Sequence, residues 1–139
     1  MTHSLGSQLI SLCRAHRKIL ESELNEIGLY AGQEILLLRL LDLDGQSQSE
    51  LALSLNVEAP TMTRVITRLE RVGLVQRRAD REDKRVSRVF LTERGRQLED
   101  DIHQIWDRIE AQLSSGLSEA EVLLLQRLLT TMRANLLAE

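Results

Sequence analysis

The sequence is poor in residues that make covalent or metal staples. It has one cysteine, Cys13, in 139 residues, so no disulfide can close within a chain. A lone thiol suits a reducing compartment, and the cytoplasm is the expected location. Three histidines, His3, His16 and His103, are scattered without ligand spacing, so no metal site is expected. Aromatic residues make up 2% of the chain: Tyr30, Phe90 and Trp106. The core must therefore be built from Leu, Ile and Val. A single proline, Pro60, among abundant Leu, Ala, Glu and Arg favours helix. No apolar run approaches the roughly 20 residues that a membrane helix needs. The stretch Met1–Ser11 has no basic patch ahead of a long apolar segment, so neither a secretory signal nor a membrane partner is expected. Also missing are a nucleophile elbow, a phosphate-binding glycine loop and a paired-carboxylate pocket. Asp42 with Asp44, and Asp100 with Asp101, are loop or adjacent carboxylates, which are ordinarily just solvated. No catalytic residue and no cofactor are expected, and the chain is not expected to be an enzyme.

What is present is an uneven charge distribution. The formal net charge is −3. Residues 60–94 hold ten basic and five acidic side chains, +5, leaving eight basic and sixteen acidic elsewhere, −8. A basic block inside an acidic frame signals a partner. Only Lys18 and Lys84 are lysines, and the arginine fork suits phosphates and base edges.

Leu5, Leu9, Leu12, His16, Ile19 and Leu20 follow three- and four-residue steps, predicting a helix from about Ser4 to Asn25 that stops by Gly28. A second helix is expected from Gly32 to Leu41. Ser47 and Glu50 form a capping-box pattern opening a third helix through about Leu53. Pro60 suits the first turn of a fourth helix, which Gly73 ends. Leu74–Arg78 and Val86–Thr92 read as strands of a hairpin with a charged tip. Thr92 is the expected cap of one continuous helix, Glu93 to about Leu113, with Leu98, Ile102, Ile105 and Ile109 on one stripe. Ser118 and Glu121 form a second capping box for a last helix to about Leu137.

Projected at about 100° per residue, the fourth helix separates two faces. Met62, Val65, Ile66, Leu69 and Val72 lie on one; Pro60, Thr63, Arg64, Thr67 and Arg71 lie opposite. An ordinary solvated face mixes in Glu and Lys, whereas this one has no acid except Glu70 at its edge. A helix, a tight turn, and a second helix with small polar residues and arginines is the build of a major-groove recognition element. The hairpin tip, Asp80 to Arg85, mixes both signs and would read alone as an exposed turn. Directly after a helix-turn-helix, it makes a wing that lies along a backbone and puts an arginine into the minor groove. The fold class is thus mainly α with a small β-hairpin wing, a winged helix-turn-helix between long N- and C-terminal helices.

Four segments carry a more specific pattern: Ser49-Glu-Leu-Ala52, Pro60-Thr-Met-Thr-Arg64, Arg68-Leu-Glu-Arg-Val-Gly-Leu-Val-Gln-Arg77 and Asp83-Lys-Arg-Val-Ser-Arg-Val-Phe-Leu-Thr92. With Leu91-Thr-Glu-Arg-Gly95 they resemble the MarR-type transcriptional regulators, and Leu5-Gly-Ser-x-Leu9 is similar to the SlyA branch. The resemblance implies a homodimeric repressor-type regulator on a pseudo-palindromic double-stranded DNA. Residues 1–30 and 96–139 would supply dimerisation helices and 31–95 the DNA-binding lobe, within one compact domain overall. The terminal helices do carry more Leu and Ile than one small body can hide. By position, Thr61, Thr63, Arg64, Thr67 and Arg68 would face the major groove and Arg85 would enter the minor groove. Asp83 would pair with a nearby arginine to hold the wing, Arg88 would steady it or touch phosphate, and Arg81 and Lys84 would lie beside them. Phe90 stands where the family more often has a small or polar residue, and packing against the second lobe is its expected role. A small aromatic or phenolic effector is implied, with His16, Arg17, Tyr30 and Arg39 as candidate lining residues. Some relatives sense hydroperoxides through a first-helix cysteine, but Cys13 lies about two helical turns past that position, so a buried, inert thiol is expected. The competing reading is a winged-helix protein–protein module without DNA binding, which would ordinarily lack an arginine-rich wing.

Overall fold

Order along the chain follows from where apolar periodicity starts and what stops it. The computed structural model describes residues 3–138. The outermost positions of the two expected dimerisation segments, residues 1, 2 and 139, lie outside the described residues. By internal contacts the chain divides into two compact units, residues 1–106 and 107–139.

In the first unit, α1 spans Leu5–Glu26, and the Ser4 hydroxyl caps it by accepting from the Ser7 N–H at 3.2 Å. Only Leu20 and Leu24 of α1 are buried, so its N-terminal half is exposed within the chain. The turn into α2 (Gln33–Asp42) is capped from ahead: the Gln33 side chain accepts from the Tyr30 N–H, and Glu34 from the Gly32 N–H. Leu36, Leu37 and Leu40 of α2 are fully buried. Strand β1 (Gln46–Ser47) follows, then α3 (Gln48–Ser54) behind the expected Ser47–Glu50 capping box. Next come α4 (Ala59–Arg71), β2 (Val75–Ala79) and β3 (Ser87–Leu91). The sheet order is β1-β3-β2, antiparallel throughout, with Gln46 opposite Val89 and Val75 opposite Leu91. Val75, Val89 and Leu91 are buried on one sheet face; Met62, Ile66 and Leu69 are the buried face of α4. Full burial of such a side chain is worth about 1.5–3 kcal/mol, which pins the rotation of α4 about its axis.

The expected continuous helix after the wing is broken. Thr92 does cap it, accepting from the Gly95 N–H at 3.1 Å, but α5 ends after Glu93–Arg96 and α6 starts at Glu99 (Glu99–Leu113). The first turn is tied to the lobe on three sides. Arg94 donates to the Val72 carbonyl, Arg96 pairs with Asp44 at 2.6 Å, and Gly95 sits so close to the Leu74 carbonyl that a Cβ there would collide with it. The helix axis resets at Gln97–Leu98, where the Leu98 N–H bonds three residues back to Gly95, and Leu98 is only half-buried. Ile102 and Ile105 resume the buried stripe.

The second unit contains the end of α6 and helix α7 (Glu119–Leu137), which opens on the predicted Ser118–Glu121 capping box. No residue of α7 is buried, and Leu123, Leu124, Leu125, Leu128, Leu129, Leu136 and Leu137 are all exposed.

Candidate nucleic-acid interface

The angle between α3 and α4 is set by a turn only three residues beyond Leu55. Asn56 adopts φ 52°, the one positive-φ residue other than glycine among the described residues. The Val57 N–H returns to the Ala52 carbonyl at 2.9 Å, closing the turn. Gln48 at the start of α3 donates to the Thr63 hydroxyl at 3.3 Å, a side-chain strut between the two helices.

With Met62, Ile66 and Leu69 facing inward, Thr61, Thr63, Arg64 and Arg68 are exposed and Thr67 is half-buried. The threonine hydroxyls are oriented locally. Thr63 donates to the Ala59 carbonyl and Thr67 to the Thr63 carbonyl, so their methyl groups and lone pairs are set by the helix itself. The Arg64 guanidinium donates to the Thr61 hydroxyl at 3.2 Å, and no carboxylate among the described residues neutralises it. Glu70, the acid at the edge of this face, is already engaged. It accepts the Arg77 backbone N–H at 2.9 Å and two guanidinium N–H groups of the same residue. The backbone N–H, and then the guanidinium, hold its carboxyl below the usual range. Arg77 also donates to Thr67, so this pair fastens α4 to β2 and removes both charges from the outward face.

Four side chains govern the wing: Asp80, Arg88, Asp83 and Arg85. Asp80 accepts the N–H groups of Glu82 and Asp83 with one oxygen and Arg88 Nε with the other, at 2.6 Å. Arg88 also donates to the Gly45 carbonyl, joining the wing base to the turn before β1. The Arg88 bond is the main reason that the Asp80 carboxyl is depressed. Asp83, expected to hold the wing, pairs with Arg85, at 3.1 Å from Nε. That guanidinium is the chief cause of its lowered pKa. The Arg85 side chain is 91% exposed and projects from the tip. Arg81 and Lys84 are exposed beside it without an ion-pair partner among the described residues. The structure therefore brings the five α4 positions onto one edge and Asp83, Arg85 and Arg88 onto the hairpin. Asp80, Gln48 and the Glu70–Arg77 pair were missed from sequence. An Asp opening a polar loop, able to accept from the N–H groups two and three residues on, was the available signal for Asp80.

Two of the four effector candidates lie on α1, one in the turn after it and one on α2. His16 is half-buried on α1, with its ring centroid 6.1 Å from that of Trp106. Arg17 is exposed and paired with Glu21, Tyr30 is 68% exposed, and Arg39 is exposed on α2. Among the described residues, no hydrogen bond, ion pair or ring contact links any two of them. Cys13 is exposed rather than buried, because the N-terminal half of α1 has no buried face in the chain. Phe90 packs within its own lobe, on Gly45 and beneath Arg78. Among the described residues no group of His, Cys, Asp and Glu could hold a metal ion, and no helix is long and apolar enough to cross a membrane.

A helix-turn-helix followed by an antiparallel wing whose tip ends in an unburied arginine defines a winged-helix protein of the nucleic-acid-binding type. Within that class the relatives are specific. The MarR family model matches residues 29–87. A MarR transcriptional regulator from Methanosarcina mazei Go1 is similar at 30% identity over 94% of both chains, with a TM-score of 0.81. The transcriptional regulator SlyA is similar at 30% identity, over 93% of this chain and 91% of that one, with a TM-score of 0.81. The S. aureus MepR-DNA complex superposes with a TM-score of 0.88 at 26% identity, covering 95% of this chain and 98% of that one. The chain belongs to the MarR family of transcriptional regulators.

Proposed function

We propose that this regulator acts as a homodimer that reads a pseudo-palindromic duplex, with α4 in the major groove and Arg85 in the adjoining minor groove. The observation that carries this reading is the state of the arginines. Among the described residues, Arg64, Arg68 and Arg71 on α4, and Arg81 at the wing, have no carboxylate partner. Arg85 has only a solvent-exposed one, while Glu70 and Asp80 are tied to Arg77 and Arg88. An exposed pair such as Asp83–Arg85 is worth little and yields to phosphate or a base edge. Similarity to the MepR-DNA complex supports the same partner here.

Two copies follow from the apolar faces. Leu5, Ile10 and Leu12 on α1 and seven leucines on α7 are exposed in a single chain. Paired lobes would present their recognition helices about 34–36 Å apart, one duplex turn. The flanking segments 1–30 and 96–139 then serve dimerisation and residues 31–95 serve DNA. Release by a small aromatic or phenolic effector near His16, Arg17, Tyr30 or Arg39 belongs to the same reading, and the cytoplasm is its setting.

Selection of bound fragments from a random duplex library tests the DNA reading. A recovered inverted repeat, bound with an affinity that falls steeply as salt rises, is the expected result. Recovery of no preferred sequence, with affinity indifferent to salt, would overturn it in favour of a protein-binding module.

A further inference from the structure

The wing hairpin has two unlike faces. On the face turned towards α4, Val75 stands opposite Leu91 and Arg77 opposite Val89, and Arg77 reaches Glu70 and Thr67. On the other face Gln76 stands opposite Phe90, and Arg78 opposite Arg88. Like charges directly across a sheet repel, so this second pair needs compensation. Arg88 receives it from Asp80 and the Gly45 carbonyl. Arg78 is treated differently. Its guanidinium lies 4.7 Å from the Phe90 ring centroid, over the ring face, and the Gln76 amide, once turned so that its oxygen faces the guanidinium, accepts from Nε–H and an Nη–H. Among the described residues it has no ion pair. The ring in turn is seated on Gly45, where a Cβ would stand 2.7 Å from Phe90 Cε1. A ring and an amide orient a guanidinium without neutralising it, so Arg78 keeps its charge for an incoming anion. It borders a solvent-open hollow also lined by Arg81, Arg88 and Phe90, and by two acids, Asp80, which is engaged by Arg88, and Glu82.

The anion can be placed by the groove dimensions. A wing in the minor groove has a sugar-phosphate strand on each side. The α4 side meets the nearer strand, and the face bearing Arg78 looks towards the farther one. Arg88, the cross-strand neighbour of Arg78, is three residues from Arg85, which lies in the turn ahead of β3, so the two stand at most about 10 Å apart along the chain. The groove is about 7.5 Å deep. With Arg85 at the floor, Arg78 stands at the lip, where phosphates run. We infer that Arg78 is a phosphate contact on the far strand of the minor groove, and that Phe90 is its positioning residue. This contact rests on the reading above that Arg85 enters the groove.

The test uses the full-length chain and a duplex of about 30 base pairs, two half-sites with flanks, recovered by the selection described above. Affinity is measured by fluorescence anisotropy across a salt series. Arg78→Gln is expected to lower the slope of log affinity against log salt by about 1.8, two phosphates fewer, one in each half-site. It should weaken binding on the order of tenfold per half-site, equally on the selected and the scrambled duplex. Arg78→Lys keeps the slope. Phe90→Leu keeps the slope and binds several-fold more weakly than the unmodified chain, and Phe90→Tyr restores the affinity. A folded Arg78→Gln chain with the unmodified slope overturns the contact while the wider DNA reading stands. Absence of salt-dependent binding by the unmodified chain overturns both. A Phe90→Leu chain that binds as tightly as the unmodified one removes the positioning role.

Discussion

Single charges in this protein divide into those spent on the fold and those left for a partner. Arg77, Arg88 and Arg96 are spent, on Glu70, Asp80 and Asp44. Arg64 and Arg85 are not. Arg64→Ala should cost roughly 1–3 kcal/mol per half-site on the selected duplex and relax its sequence preference, as for lost base contact. An equal loss on random duplex would make it a phosphate contact. Arg85→Ala should weaken binding strongly while sedimentation still reports the same oligomer, and unchanged affinity would remove the minor-groove role. Glu34 is a separate case. It is fully buried, Oε1 has no hydrogen-bond partner among the described residues, and desolvation raises its pKa despite the N–H groups of Glu34 and Gly32. Because the folded state holds the proton more tightly, its contribution is complete below the unfolded pKa and fades as pH rises through the folded one. Glu34→Gln should therefore gain melting temperature over the unmodified chain as pH rises from about 4 to 7. A difference that does not change with pH would contradict the assignment.

At the scale of elements, what was legible in the sequence was local. The Ser47 and Ser118 capping boxes join a side chain to a backbone three residues away, so both helix starts are readable from short windows. The α4 faces follow from one period and needed no tertiary knowledge. Strand β1 was not legible, since Gln46 and Ser47 become a strand only by pairing with Val89 and Arg88, far along the chain. The break between α5 and α6 was hidden for the same reason, because the ties of Arg94, Gly95 and Arg96 reach back to Val72, Leu74 and Asp44. Within the wing the family pattern drew attention to Asp83 and away from Asp80, whose partner Arg88 is eight residues on. The wing should accordingly be acid-labile in a defined window. The folded Asp80 pKa is depressed, so its contribution is present above the unfolded value of about 3.9 and lost as pH falls through the folded one. Protection against hydrogen exchange over residues 80–88, taken relative to the intrinsic rate at each pH, should fall below that range, and in Asp80→Asn it should be low already at neutral pH. Equal protection in both chains would assign the wing's order to some other contact.

For the whole molecule the deciding quantity is apolar surface. Helix α7 has no buried residue in a single chain, and seven of its leucines are exposed. Contiguous exposure on that scale marks an association surface. Sedimentation equilibrium should find a dimer, and Leu128→Glu with Leu125→Glu should shift it towards monomer and abolish tight duplex binding, because one lobe alone holds one half-site. A monomeric unmodified chain would contradict the paired arrangement. Chemical footprinting on the selected duplex tests the central claim most directly. Two clusters of protected major-groove guanines about one helical turn apart are expected, each flanked outward by a minor-groove protection that disappears in Arg85→Ala. A single protected cluster, or minor-groove protection that persists in Arg85→Ala, would contradict the account.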